Sequence, residues 1–192
     1  MWEALAFIGA YFLGSIPFGF LVGKVKGVNL REKGSGNIGA TNVFRVVGKK
    51  EGVFVFILDF LKGFLPVIYF SDISVPAGIL ALLGAIIGHM TTPFLRFKGG
   101  KGVATGFGGI VALMPLPALI AFGVWSILVA ITRRISVGSL TAALSLPILY
   151  FYLSRPMYRS VLYISVLITI LVFITHRKNI GRLIRGEEEP IF

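Results

Sequence analysis

"VATGFGGIVALMPLPALIAFGVWSILVAI", residues 103–131, decides how this chain is built. It carries no charge, and it is longer than the roughly 20 apolar residues that one bilayer-spanning helix needs. Its middle reads "MPLP". Proline removes a backbone donor and restricts the residue before it, so the stretch is expected to divide into a short helix over 103–113 and a longer one after it. On either side of that break, apolar runs at 2–23, 52–70, 75–95, 137–153 and 160–175 alternate with polar connectors. The pattern predicts an all-α polytopic membrane protein of seven transmembrane helices, some of them short or broken. The first is softened by Gly14, Pro17 and Gly19. Composition agrees: 56% of the 192 residues are hydrophobic and the mean hydropathy is +0.88, above the apolar share of roughly 45–50% found in soluble domains. The first run has no basic flank before it and no small-residue cleavage site after it, so it reads as a retained span rather than a signal peptide.

Charge tests where the long stretch divides. The chain holds 19 Lys and Arg against 8 Asp and Glu, a net charge of +11. With two helices in 103–131, connectors 24–51, 96–101 and 133–134 share one side with the tail from His176, and together they hold 16 basic residues. The other side holds only Arg155 and Arg159, and Lys62 lies inside a span. Lys and Arg gather on cytoplasmic loops, which predicts an outside N-terminus and a cytoplasmic C-terminus. A single span there would invert everything downstream and leave the basic tail outside. Because the basic residues lie between spans rather than along one stripe, nucleic acid is not expected as a partner. Without cysteine there is no disulfide, thiol nucleophile or cysteine-ligated metal. Two histidines cannot make an ordinary closed zinc site, so no metal or cofactor is expected.

On this topology three polar segments reach the cytoplasmic face: 33–45, 96–105 and 176–188. In "KGSGNIGATNVFR", residues 33–45, Gly34, Gly36 and Gly39 allow backbone angles that turn successive N–H groups into one concavity. Ser35, Asn37, Thr41 and Asn42 add neutral donors, and Arg45 adds a planar fork suited to phosphate. A helix starting near Thr41 would add anion preference. Glycines also serve close helix packing, which is the preferred reading for "GILALLGAIIG" at 78–88. Packing glycines need no Ser, Asn and Thr companions, so the first loop reads as a binding segment.

"FKGGKGVATG" sets Lys98 and Lys101 around paired glycines at an expected helix start, and it is not a Walker A loop, because Val follows the final "KG". In the tail, His176 and Asn179 share a helical face. Asp59 and Lys62, three residues apart within a span, can neutralise each other, where either alone would cost roughly 2.5–3.5 kcal/mol at the bilayer centre. The acyltransferase signature of His followed five residues later by Asp is absent, since Phe94 follows His89 and Gly181 follows His176 at that distance. A Ser–His–Asp triad is no better supported, with Asp72 on the outer side and Asp59 in mid-span.

Taken together, "GSGNIGATNVFR" (34–45), "DFLKG" (59–63), "GH" with "FLRFKGGKGVAT" (88–105) and "HRKNIGRLIRGEE" (176–188) resemble the bacterial acyl-phosphate:glycerol-3-phosphate acyltransferase family. The segments occur in family order over nearly the whole chain. At "HMTTPF" the chain departs from the family's usual His, one residue, Phe, Pro, while keeping the spacing from His89 to Lys98. The resemblance implies one integral membrane domain over 1–192 with its active site at the cytoplasmic face of the bacterial inner membrane. It implies transfer of a fatty acyl group from acyl phosphate to the 1-hydroxyl of glycerol 3-phosphate, giving lysophosphatidate and inorganic phosphate. By motif position, Ser35, Asn37, Thr41 and Arg45 serve catalysis and phosphate binding, with Gly34, Gly36 and Asn42 in the same loop. Lys98, Gly99, Gly100, Lys101 and Gly102 form a second phosphate-binding segment. His176 and Asn179 complete the site, Glu188 is a structural partner of the tail, and Ser139 in "SVGS" has a supporting role. Expected partners are the two phosphate substrates, the bilayer, and the soluble enzyme that makes acyl phosphate. The rival reading is a small transporter or exchanger of phosphorylated metabolites, which should place its polar groups near the midplane between repeated halves.

Overall fold

A computed structural model describes residues 1–191, all of whose regular structure is helical. The chain forms two compact units. The first, Met1–Leu113, contains α1 (Trp2–Gly14), α2 (Phe18–Val25), α3 (Ala40–Val46), α4 (Lys49–Ile73), α5 (Val75–Met90), a 3-10 turn (Pro93–Leu95) and α6 (Val103–Leu113). Against α5 lie α1, α4 and α6, and α6 also packs on α4. Lipid tails are as apolar as leucine, so helices in a bilayer associate by close approach rather than by hydrophobic burial. The glycines supply that approach. A side chain at Gly88 would land on the Tyr11 carbonyl, and one at Gly63 would land on that of Thr105. Gly84 lies in the same way against Phe7, so the packing reading of 78–88 describes this face of α5.

The first apolar run is broken in two at Ser15–Pro17. Pro17 offers no N–H, and carbonyls at the break lie among apolar side chains, where an unpaired polar group is costly. Two distant side chains satisfy them. Thr92 Oγ1 donates to the Ser15 carbonyl at 2.6 Å, and Lys62 Nζ donates to that of Ile16 at 2.8 Å.

The second unit begins at Met114 and contains α7 (Pro115–Thr132), α8 (Ile135–Leu153), α9 (Arg159–Thr175) and α10 (Arg177–Ile184). Within it α8 packs on both α7 and α9. Gly138 of α8 sits against Trp125 and Val129 of α7, and Thr169 of α9 donates to the Ala143 carbonyl at 2.6 Å. α10 turns away from α9 by 60°.

The break in residues 103–131 falls at Met114, where α6 ends one residue before and α7 starts one residue after. Pro115 and Pro117 lie in the first turn of α7, where missing N–H groups leave no hydrogen bond unmade. Each of the seven expected apolar segments forms helix. Among the described residues, five helices are long and apolar enough to cross a membrane, and a sixth is counted if α9 and α10 are one bent span. α6 is the exception to seven: its 11 residues rise about 16 Å, near half of a hydrocarbon core about 30 Å thick.

Candidate active site

The first glycine loop is built around Asn42. Its side chain is buried, and its Nδ2 lies within 3.1 Å of the Leu30 and Lys33 carbonyls and 2.8 Å of that of Asn37. Its Oδ1 accepts the Ser35 N–H at 2.9 Å. One amide thus ties together four points of the loop. Beneath it, Leu30, Val43 and Val55 form a buried cluster with Phe18 and Val22 of α2 against it. Gly34 and Gly36 take φ of +59° and +70°, which a side chain would resist. The Gly36 N–H closes a turn to the Lys33 carbonyl, and Asn37 Oδ1 accepts the Gly39 N–H at 2.8 Å.

Ser35 is exposed, while Thr41 and Arg45 are half-buried on α3, four residues apart and so on one face. Asn42 was expected to bind phosphate. The structure instead commits its amide to the loop's own backbone.

The second segment follows the 3-10 turn. Arg96 and Phe97 both take left-handed backbone angles, φ 54° and 60°, a conformation most side chains resist by roughly 1–2 kcal/mol. Phe97 N–H to the Thr92 carbonyl at 2.9 Å and Lys98 N–H to that of Leu95 at 3.2 Å hold them there. The next two residues lie on the end of α5. Gly99 N–H donates to the Met90 carbonyl at 2.9 Å, and Gly100 N–H donates to that of His89 at 3.1 Å. Those two N–H groups anchor the segment instead of facing a ligand. Lys98 is exposed, Lys101 is half-buried, and Gly102 at φ +76° leads into α6.

Arg31, two residues before the first glycine segment, reaches the second. The Arg31 guanidinium donates to the Lys98 carbonyl, across 67 residues of sequence. Arg31 carried no signal of its own within a basic connector, and sequence reasoning missed it. It also missed His89 and Thr105, which lie below the second segment with Asp59 and Lys62. Beside the first loop, an apolar cavity of about 460 Å³ runs between α2 and α4, lined by Phe18, Leu21, Val22, Val25, Phe54 and Leu58 with the Lys26–Glu51 ion pair.

In the second unit, Glu188 is the organising residue. Its carboxylate accepts from Ser136 Oγ at 2.8 Å, Asn179 Nδ2 at 2.5 Å and Arg182 Nε at 2.6 Å, while Arg134 Nε donates to its carbonyl at 2.9 Å. Burial pushes the Glu188 carboxyl up, but the hydrogen bonds from Asn179, Arg182 and Ser136 outweigh it and hold the group below its ordinary 4.5. The Ile191 N–H donates to the Arg133 carbonyl, closing the tail on the α7–α8 turn.

His176 is buried at the α9–α10 bend, and its Nδ1 lies 2.8 Å from the Val172 carbonyl. A carbonyl only accepts, so Nδ1 carries the proton and the lone pair of the neutral ring is on Nε2. Ser139 Oγ accepts the Trp125 indole N–H at 3.3 Å.

A family model for glycerol-3-phosphate acyltransferase matches residues 4–186. The glycerol-3-phosphate acyltransferase of Trichlorobacter lovleyi is 48% identical over 182 residues, covering 94% of this chain and 93% of that protein. That of Aquifex aeolicus is 46% identical over 184 residues, covering 94% and 95%. The chain is also similar to the crystal structure of PlsY, an integral membrane glycerol 3-phosphate acyltransferase, in its glycerol 3-phosphate form. The TM-score is 0.92 at 42% identity, covering 98% of this chain and 94% of that one. The lysophosphatidic acid form of PlsY gives 0.89 at 41% identity with the same coverage.

Proposed function

The chain belongs to the glycerol-3-phosphate acyltransferase family, and from that premise we propose that it makes lysophosphatidate by taking its acyl group from acyl phosphate. The 1-hydroxyl oxygen of glycerol 3-phosphate forms an ester bond to the acyl carbon. The acyl–phosphate C–O bond breaks, and inorganic phosphate leaves. The observation that carries this reading is the junction of the two glycine segments through Arg31 and the Lys98 carbonyl. Two phosphate-bearing substrates need two anion sites, and the first unit carries Arg45 on one glycine segment and Lys98 and Lys101 on the other.

Acyl phosphate is already activated, so the remaining tasks are positioning, stabilising the developing oxyanion and removing one proton. Ser35, Asn37 and Thr41 are donors for the first two, and Arg45 with Lys98 and Lys101 holds phosphate. A substrate phosphate, with its second pKa near 6, takes the hydroxyl proton. His176 is the alternative acceptor and Asn179 a further site residue, both by motif position. The acyl chain lies in the apolar cavity between α2 and α4, whose wall residues Phe18 and Val22 also support the glycine loop. No residue set here is assigned to a metal or cofactor.

We assign seven crossings, with α6 as a short fourth one, an outside N-terminus, a cytoplasmic C-terminus and both glycine segments on the cytoplasmic face of a bacterial inner membrane. The chain has no cysteine, so single cysteines at Glu32, Arg155 and Lys178 can each be labelled alone from outside intact cells. Glu32→Cys and Lys178→Cys protected with Arg155→Cys labelled supports seven crossings. Glu32 and Lys178 on opposite sides would mean that α6 does not cross.

The reaction is tested with purified protein, radiolabelled glycerol 3-phosphate, and palmitoyl phosphate, palmitoyl-CoA or palmitoyl-carrier protein as separate donors. Lysophosphatidate from the acyl phosphate alone, lost in Arg45→Ala, supports donor and loop together. Product from palmitoyl-CoA would overturn the donor assignment, and no product from any donor would favour transport.

A further inference from the structure

Four buried polar residues lie beneath the second glycine segment, and the reaction above uses none of them. Asp59 and Lys62 of α4 are 2% and 3% exposed, with Nζ 2.8 Å from Oδ1. His89 of α5 brings Nδ1 within 3.7 Å of the same Asp59 oxygen and within 3.2 Å of Thr105 Oγ1 on α6. The polar chain therefore runs through three helices. At one end Lys62 holds the Ile16 carbonyl at the break between α1 and α2. At the other end the His89 ring lies directly under Gly100, where a side chain would strike Nε2. Neutralising Asp59 requires only Lys62, so the pair alone does not account for His89 and Thr105.

We propose that Asp59, Lys62, His89 and Thr105 form a strut that fixes the height and angle of residues 98–102, with His89 as the positioning residue. Three contacts converge on His89. Its carbonyl accepts the Gly100 N–H, its ring is the floor under Gly100, and its Nδ1 is held by Thr105. Thr105 lies in the first turn of α6, three residues beyond the segment, so the hydroxyl that orients the ring also ties it to the helix in which the segment ends. Bulky residues at left-handed angles just before Lys98 need such external support, because strained backbone persists only where its surroundings determine it. The role rests on the proposed use of Lys98 and Lys101 as phosphate-binding groups.

Two readouts test this, one of them independent of activity. Hydrogen exchange on the full chain in detergent should show the amides of 98–102 exchanging about tenfold faster in His89→Ala, with α1 and α4 unchanged. In the acyl-transfer assay His89→Ala should raise KM for a phosphate substrate about tenfold while changing kcat less than about threefold. His89→Asn, which keeps a polar atom near the Nδ1 position, should recover most of both. Gly100→Ala should be impaired, and adding His89→Ala to it should partly restore it by making room for the new methyl. If His89→Ala does not fold, Thr105→Val removes only the hydroxyl and should show the same exchange pattern more weakly. Unchanged exchange at 98–102, an equal rise across α1 and α4, or a double variant no better than Gly100→Ala would each overturn the strut. A wild-type protein without activity on any donor would sink the proposed reaction, and the exchange data would still decide the strut.

Discussion

The two glycine segments look alike in sequence and are held in different ways. In the first, Gly34 and Gly36 adopt left-handed backbone angles, and a buried side chain, Asn42, gathers the resulting loop. In the second, Gly99 and Gly100 are needed because the backbone lies against His89 and Met90, and main-chain hydrogen bonds hold it. Gly36 is there for torsion and Gly99 and Gly100 for proximity, while Gly34 answers to both and Gly102 again takes a left-handed angle. A glycine-rich motif therefore reports that a side chain is unwelcome without saying which constraint excludes it.

The largest expected effect breaks the first arrangement at its centre. Asn42→Ala takes this partner from the Ser35 N–H and from the Leu30 and Asn37 carbonyls, while the Lys33 carbonyl keeps the Gly36 N–H, and each buried unpaired group costs about 1–3 kcal/mol. Even with water reaching some of them, a loss of about 3 kcal/mol is expected, together with loss of acyl transfer. Asn42→Asp should fare little better, since it keeps the shape and the acceptor but none of the donors. Thermal melts in detergent beside initial rates will decide; near-wild-type melting in Asn42→Ala would show that the amide is incidental to the loop.

How legible these features were follows from how local their causes are. The break at Met114 could be read because proline acts on its own backbone and its immediate neighbour. The close-packed α5 face could be read because small residues recur at helical spacing. Asn42's task could not, since its four partners span residues 30–37 and lie together only once the loop has closed. Arg31 and His89 were hidden for the same reason: each meets its partner through tertiary packing, so neither Arg31 within a basic connector nor His89 within the quoted "GH" shows what it touches. Of the tail's bonds, only the expectation that Glu188 pairs within it was available beforehand.

The next effect sharpens the contrast between torsion and proximity. Alanine at Gly99 puts a methyl on the His89 carbonyl, so the segment must move; a displacement of about 1 Å can cost on the order of 100-fold in rate. Alanine at Gly36 meets only the Arg31 carbonyl at 3.2 Å and bears chiefly left-handed strain of about 1–2 kcal/mol. Gly99→Ala should therefore lose far more rate than Gly36→Ala, and Gly36→Asn, which tolerates left-handed angles, should regain part of the smaller loss. Equal losses at the two positions would erase the distinction.

The smallest effect extends the comparison to the tail, where a carboxylate does what an amide does in the first loop. Asn42 does not titrate, so its loop should keep its hydrogen bonds at any mild pH. Glu188 does titrate. Its folded carboxyl lies below the ordinary 4.5 because Asn179, Arg182 and Ser136 favour the charged form over the burial that opposes it. The unfolded chain binds that proton first, so the stabilisation is fully present above about pH 4.5 and is lost as pH falls through the lower folded value. Exchange protection of the α7–α8 turn should accordingly fall on acidification in the wild type. In Glu188→Gln it should start lower and show less dependence on pH, while residues 30–42 show no such difference between the two proteins. A gap between wild type and Glu188→Gln that stays constant down to about pH 3 would mean that the tail is held by shape and by the Arg134 and Ile191 main-chain contacts, with the charge contributing nothing.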